Sequence, residues 1–246
     1  YPRSAMLNRQ LIMILDDAHK IAPMEFYKTF QESVSLIAQA CSSDSNAVTF
    51  LQTLSTNIIR WTKLEEASIS IFGEPFLKMI LQHSMIYRLK NDIKRKERLT
   101  LSPTVARCAF GVIDETRILQ PGQIFFCATK MDDQKNVYVN DVTVITGRVT
   151  VFRNPAMQPG DVRVFDAVDV PSLHHIKDCV VFPTVGNRSH ADELSGGDYD
   201  GDEYVIIWSG GFMIRHNFPP MDFPSGLASP ARLRAPEEGV LLNIIS

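Results

Sequence analysis

Asp198, Asp200 and Asp202 stand at every second position of Ser195-Gly196-Gly197-Asp198-Tyr199-Asp200-Gly201-Asp202-Glu203-Tyr204, with glycines before and between them. Read as strand-like, a period of two sets the three carboxylates on one side of the backbone. Gly196, Gly197 and Gly201 allow a sharp bend and a close approach of backbone to ligand. Such a cluster of hard oxygen donors calls for a divalent cation. Without one the anions repel, and at least one carboxyl has its pKa raised.

Two other readings of the loop compete with this one; the first fails and the second is left as the weaker alternative. An EF-hand calcium loop needs a glycine at its sixth position and a bidentate glutamate at its twelfth. Counted from Asp198, those positions hold Glu203 and Ser209. A plain Asp/Gly surface turn has no use for three aspartates in alternation directly before an apolar run, Tyr204 to Trp208. The pattern fits Mg²⁺, which takes octahedral oxygen coordination through a few carboxylates, waters and substrate phosphates. Three carboxylates can share two such ions, an arrangement suited to in-line phosphoryl transfer. In this reading the aspartates are ligands, not proton shuttles.

The elements that would position this loop divide the chain in two. Up to roughly Arg98 the apolar residues recur at helical spacing: Leu7, Leu11, Ile14 and Leu15 on one face, then Phe26, Phe30, Val34 and Ile37. Val48, Leu51, Ile58 and Ile59 continue the period behind an N-cap at Ser45 or Asn46, and Glu74-Pro75 opens a further helix that runs into a basic tail. After Pro103 short β-rich runs alternate with Pro/Gly turns: 124–128, 137–139, 142–145, 149–152, 162–165, 179–182 and 204–208. That texture predicts a barrel or sandwich, with the acidic loop entering its last strand. Beyond Ser209 the chain becomes Pro-rich and loses periodicity, which predicts an extended or disordered tail.

With 246 residues and 45% apolar content the chain can bury a core or two. The net charge of −3 does not exclude an acidic partner, since only charge near a groove matters. No run of about 18 uncharged apolar residues occurs, so no membrane span is expected. The four cysteines, Cys41, Cys108, Cys127 and Cys179, are scattered without metal-ligand spacing. Their usage fits a reducing, intracellular compartment, nucleus or cytoplasm. The start at Tyr1, with no signal-peptide pattern, reads as an interior or truncated piece of a longer protein.

The acidic motif and its neighbours resemble the cellular RNA-dependent RNA polymerases of RNA silencing. The resemblance rests on 195–202, on Gly111-Val112-Ile113-Asp114-Glu115 with Leu119-Gln120-Pro121-Gly122-Gln123, on Val149–Pro155 with Pro159-Gly160-Asp161-Val162-Arg163, on Asp178–Pro183, and on Leu7-Asn8-Arg9-Gln10. Gln158 stands where that family usually has a histidine. The resemblance implies an α+β fold: a helical connector region (1–100), a double-psi β-barrel carrying the acidic loop (101–209) and a Pro-rich extended segment (210–246). It implies that Asp198, Asp200 and Asp202 bind catalytic Mg²⁺, that RNA template, nascent RNA and nucleoside triphosphates are the partners, with silencing-complex proteins beside them, and that the product is double-stranded RNA. A noncatalytic RNA- or metal-binding barrel and a DNA-directed RNA polymerase fragment are the rival readings. The other site candidates are Arg153, Asn154 and Arg188. A guanidinium at position 153 or 188 could clasp phosphate in a bidentate manner, or order its own loop. Asn154 fits a turn as well as a substrate contact. The cluster Arg88, Lys90, Lys94, Arg95, Lys96 and Arg98 reads either as a phosphate-binding patch or as a solvated helix end.

Overall fold

The computed structural model describes residues 3–53, 59, 61–132 and 137–222. A short strand, β1 (Met6–Leu7), leads into helices α1 (Arg9–Asp17), α2 (Pro23–Gln39), α3 (Asp44–Gln52), α4 (Trp61–Glu66) and α5 (Pro75–Tyr87). Asn8 caps α1, its side chain accepting from the Leu11 N–H, and Pro23 and Pro75 sit at the first positions of α2 and α5, where a missing N–H costs nothing. The N-cap of α3 is Ser43, two positions before Ser45 and three before Asn46: Ser43 has the extended backbone that a cap requires and accepts from the Asn46 N–H. The basic tail does not simply end α5 but continues it as a π-helix, Arg88–Arg95, before β2 (Leu99–Thr100) pairs antiparallel with β1. Ile58 lies outside the described residues.

The second half forms β3 (Ala106–Ile113), β4 (Gln123–Asp132), β5 (Val137–Ile145), β6 (Gly147–Arg153), β7 (Val162–Ala167), β8 (Cys179–Phe182), the short helix α6 (His190–Glu193) and β9 (Glu203–Ile207). Six strands close on themselves in the order β4-β7-β6-β9-β3-β8, because β8 pairs back onto β4; β5 extends β4 as an outer hairpin. The β3–β8 and β4–β7 pairs are parallel and the other four antiparallel. This is the expected double-psi β-barrel in an α+β fold.

Alternation along the strands explains why these runs are apolar throughout. Tyr204 and Ile206 of β9 point into the barrel with Val149, Val151, Phe126, Phe165, Val180 and Phe182. Val205 and Ile207 point outward and meet Leu11 and Leu15 of α1, with Phe152, Val162, Phe212 and Ile214. The opposite outer face, Phe125, Cys127 and Val181, is covered by Leu119, Val170 and Leu173. Residues 210–222 are irregular yet packed: Phe212 and Ile214 are buried, the Asn217 side chain bonds both backbone groups of Val164, and Pro219 lies against Gly160. The remaining residues of the tail lie outside the described part.

A single carboxylate pins the turn after β3. Asp114 is fully buried, and accepts from Thr116 N–H (2.9 Å), Thr116 Oγ1 (2.5 Å) and Leu119 N–H (2.8 Å). Burial pushes its pKa up, but these bonds outweigh it and the net shift is downward. Asp114→Ala should therefore cost about 2 kcal/mol in urea unfolding, chiefly by orphaning the buried Leu119 donor. The sign with pH follows from the lowered pKa. The wild-type advantage over the variant should hold above the usual carboxylate range and fade as pH falls through the native value.

Candidate metal centre

The acidic loop spans the gap between α6 and β9, at the barrel end where β3 and β6 finish opposite the start of β9. It is a sequence of bends rather than a strand. Ser195, Gly196, Tyr199 and Gly201 all take positive φ (59°, 68°, 67° and 117°). The alternation that predicts a strand-like display is thus realised by a coil, since the repeated left-handed residues break the pleat. Its hydrogen bonds hold it against α6: Gly196 N–H to Asp192 O (3.0 Å) and Gly197 N–H to Ala191 O (2.8 Å). The loop also folds onto itself, with Asp198 N–H on Asp202 Oδ2 (3.1 Å), while Gly111 of β3 donates to Asp202 O (3.1 Å).

The result brings all three aspartates together. One carboxylate oxygen from each of Asp198, Asp200 and Asp202 lies within 4.8 Å of the other two; the first two residues are exposed and the third is half-buried. The hydrogen bond and charge of Asp198, then the charge of Asp202, raise the pKa of Asp200, against a smaller opposing effect of Arg153. That is the repulsion expected of an acid cluster short of cations. Hard oxygen donors at this spacing fit a small divalent ion, whose opposite ligands stand about 4.2 Å apart at a ligand distance near 2.1 Å.

Arg153, at the end of β6, bridges the two ends of this loop: its Nε pairs with Asp202 Oδ2 at 2.8 Å and its guanidinium donates to Ser195 O at 3.2 Å. Asn154 Oδ1 accepts from Asn8 Nδ2 at 3.1 Å, tying the β6 turn to the cap of α1. Arg188 engages Asp192, Asp222 (3.3 Å) and the Met221 carbonyl, so it joins α6 to the tail and does not pair with the triad. Of the three polar candidates, only Arg153 touches a carboxylate of the cluster.

Several supports of the loop carry no sequence signal of their own. The wholly buried Tyr204 lies beneath it, with its ring over Gly111 and its hydroxyl beside Gly197. Burial, then the charge of Asp202, pushes its pKa up, and its hydroxyl has no hydrogen-bond partner among the described residues. Tyr199 turns inward to Phe182 and accepts from Ala191 N–H at 3.1 Å. His190 of α6 accepts from Gly122 N–H through Nε2 (2.7 Å), which places its proton on Nδ1, facing Glu193 Oε2 (2.7 Å). Arg163 stands 3.4 Å from the same Glu193. Burial of Glu193 raises its pKa, but the His190 bond and the Arg163 charge lower it further. These contacts lock α6 to the β3–β4 turn just before the loop begins. Among the described residues, no helix is long and apolar enough to cross a membrane.

Comparison with known proteins agrees on one kind of relative. The sequence model of the family described as "RNA dependent RNA polymerase" matches residues 1–240. A "Probable RNA-dependent RNA polymerase 1" of Oryza sativa subsp. japonica is 34% identical over 221 residues, 88% of this chain and 28% of that protein. "RNA-dependent RNA polymerase 1" of Arabidopsis thaliana is 40% identical over 151 residues, 61% of this chain and 13% of the relative. Among solved structures, "RNA dependent RNA polymerase QDE-1 from Thielavia terrestris" superposes with a TM-score of 0.62 at 20% identity, covering 91% of this chain and 27% of that one. This last likeness bears on the fold. The chain thus spans 28% of the rice relative, 13% of the Arabidopsis one and 27% of the solved structure.

Proposed function

The chain belongs to the RNA-dependent RNA polymerase family, and from that premise we propose that it is the metal-binding catalytic segment of an enzyme that copies RNA from an RNA template. One observation carries the reading: in a chain of this family, three aspartate oxygens converge within 4.8 Å at the end of a closed barrel. Asp198, Asp200 and Asp202 would hold Mg²⁺. The ion, when bound, lowers the pKa of an attacking 3′ hydroxyl and neutralises charge on the phosphates of a nucleoside triphosphate.

The chain's own residues do the positioning. Arg153 neutralises part of the Asp202 charge and ties both ends of the loop together, so the carboxylates are held at the spacing that an ion requires. Tyr204 and Tyr199 fill the space beneath, which keeps the loop from collapsing into the barrel. Arg153 serves the loop first and reaches phosphate only if the Asp202 pairing loosens. Asn154 keeps the β6 turn in register with α1, and Arg188 holds the approach to the loop against the tail. The substrates would be nucleoside triphosphates and single-stranded RNA, and the product double-stranded RNA. Double-stranded RNA made in this way would feed RNA silencing, inside the cell and beside silencing-complex proteins.

The test is RNA-templated incorporation of labelled nucleotide by a protein that carries this chain together with the part of its relatives that it does not span. Synthesis should require Mg²⁺, stop on chelation, and follow an RNA template in preference to a DNA one. Absence of any template-dependent synthesis would overturn the reading.

A further inference from the structure

The π-helix Arg88–Arg95 and the residues after it hold the densest group of cations in the chain. Two acids interrupt that group, and both are occupied within the fold. Asp92, buried, pairs with Arg88 at 3.3 Å and lies 3.9 Å from Arg98. Glu97 takes a two-pronged contact from Arg9 of α1. Lys90, Lys94, Arg95 and Lys96 are left exposed, with no carboxylate partner among the described residues. With i→i+5 bonding, residues four and five apart share a face, which groups Lys90 with Lys94 and Arg95 while Asp92 turns inward.

Beside these cations lies a cleft of about 290 Å³, with Tyr27 and Phe30 of α2, Ile12 of α1, and Ile93 and Arg98 of the basic stretch on its walls. Tyr27 is 54% and Phe30 39% exposed, although both are aromatic. The volume lies just below the range of about 300–1,000 Å³ for ligand pockets, room for one flat ring and not for a helix or a duplex. Lys94 directly follows Ile93, and Lys96 precedes Glu97, another residue of the lining. An aromatic cleft with free cations on the same helical stretch beside it is the combination that single-stranded nucleic acid requires: a base stacks while its phosphates meet Lys and Arg. A run of side-chain contacts joins the place to the acidic loop: Glu97 to Arg9, the neighbouring Asn8 to Asn154, and Arg153 to Asp202.

We propose that this cleft and the neighbouring Lys90, Lys94, Arg95 and Lys96 form a second RNA site that holds a single-stranded stretch of RNA away from the carboxylates. The proposal rests on the polymerase reading above for its choice of RNA over other polyanions. Its test separates the two. Binding of 5′-labelled single-stranded RNA of mixed sequence to the chain is followed by fluorescence anisotropy across a salt series, with Mg²⁺ titrated calorimetrically on the same samples. Lys94→Gln/Arg95→Gln should flatten the plot of log affinity against log salt by about 1.4, the share of two phosphate contacts. Tyr27→Ala should weaken binding about ten-fold and leave the slope unchanged, as loss of stacking does. Arg95→Lys should keep the wild-type slope, and Lys177→Gln, an exposed lysine elsewhere, should change nothing.

Mg²⁺ titrations should be identical in all these variants. An unchanged slope in the double variant, equal competition by poly-glutamate, or transfer of the chain to anionic vesicles in preference to RNA would each overturn the second site. None of those results touches the carboxylate loop, whose own failure would appear as absent Mg²⁺ binding in the unsubstituted chain.

Discussion

Asp200→Ala is expected to abolish metal-dependent RNA synthesis, lowering turnover by about three orders of magnitude or more, while the fold and RNA binding persist. Asp200 is exposed, and its side chain fills no part of any core cluster, so its loss removes an oxygen donor without opening a cavity. Its contribution is electrostatic. The neighbouring Asp198, then Asp202, hold its proton more tightly than water would, and a divalent ion competes for the same oxygens. Mg²⁺ affinity should therefore fall as pH drops through the raised pKa of Asp200, and binding should release a proton there. Asp200→Asn should lose that proton release as well as the affinity, a difference that calorimetry in two buffers of different ionisation enthalpy can read. The linkage to stability has the opposite sign from Asp114. A raised carboxyl pKa means the native apo chain binds the proton more tightly than the unfolded chain, so acidification relieves the loop. Turnover and Mg²⁺ binding by Asp200→Ala at the wild-type level would show that the ligands lie elsewhere.

The part of the fold legible in the residues alone is the part carried by composition and period. The glycine-spaced aspartates announce a cation site because no packing role calls for three like charges in alternation. The run Tyr204–Ile207 of β9 announces a buried strand because successive positions, not every second one, are apolar, whereas in β6 the buried Thr150 interrupts the apolar residues. Strand β3 escapes pattern reading. Arg107 and Cys108 and the glycine at 111 interrupt its apolar residues, yet it supplies the parallel partner of β8 and the antiparallel partner of β9. Gly111 is small for a reason visible only in three dimensions: a Cβ there would enter the Tyr204 ring. Arg153 shows the same limit. Its type fits a phosphate clasp and a loop tie equally well, and only the position of Asp202 shows which carboxylate it meets. The roles of His190 and Asn8 depend on Gly122 and Asn154, partners 68 and 146 positions away, and no local pattern encodes a contact across that separation. The segment beyond Ser209 carries no helix or strand among its described residues, as its prolines predict, but its packing is not legible in its own residues. Ile214, Arg215 and Phe218 are held through their backbone groups by Thr150 and Arg148 of β6 and Arg163 of β7, side chains that the tail's own sequence does not contain.

Gly197 offers the sharpest test of whether the shape of the loop, and not only its charges, makes the metal site. Glycine is required there by crowding. A Cβ would lie 2.7 Å from the Tyr204 hydroxyl, 2.8 Å from Asp202 Oδ2 and 3.0 Å from the Ala191 carbonyl. Neither flank can yield easily. Tyr204 is wholly buried between Gly111 and Phe182, and the Ala191 carbonyl already accepts the Gly197 N–H at 2.8 Å. The carboxylate of Asp202 is the part that can move, and moving it weakens both its pairing with Arg153 and its convergence with Asp198 and Asp200. Gly197→Ala should thus retain the barrel, with a loss of about 1–3 kcal/mol as for other overpacked sites, and lower Mg²⁺ affinity about ten-fold or more. Gly201→Ala is the matched control. Nothing lies within 4 Å of a Cβ at that position, and its φ of +117° makes the cost one of backbone strain alone. Thermal unfolding followed by circular dichroism, with Mg²⁺ calorimetry on both variants, reads the two quantities separately. Equal metal affinity in Gly197→Ala and the parent would mean that the Asp202 oxygen beside Tyr204 is not a ligand, and that the ion sits on the exposed pair of carboxylates alone.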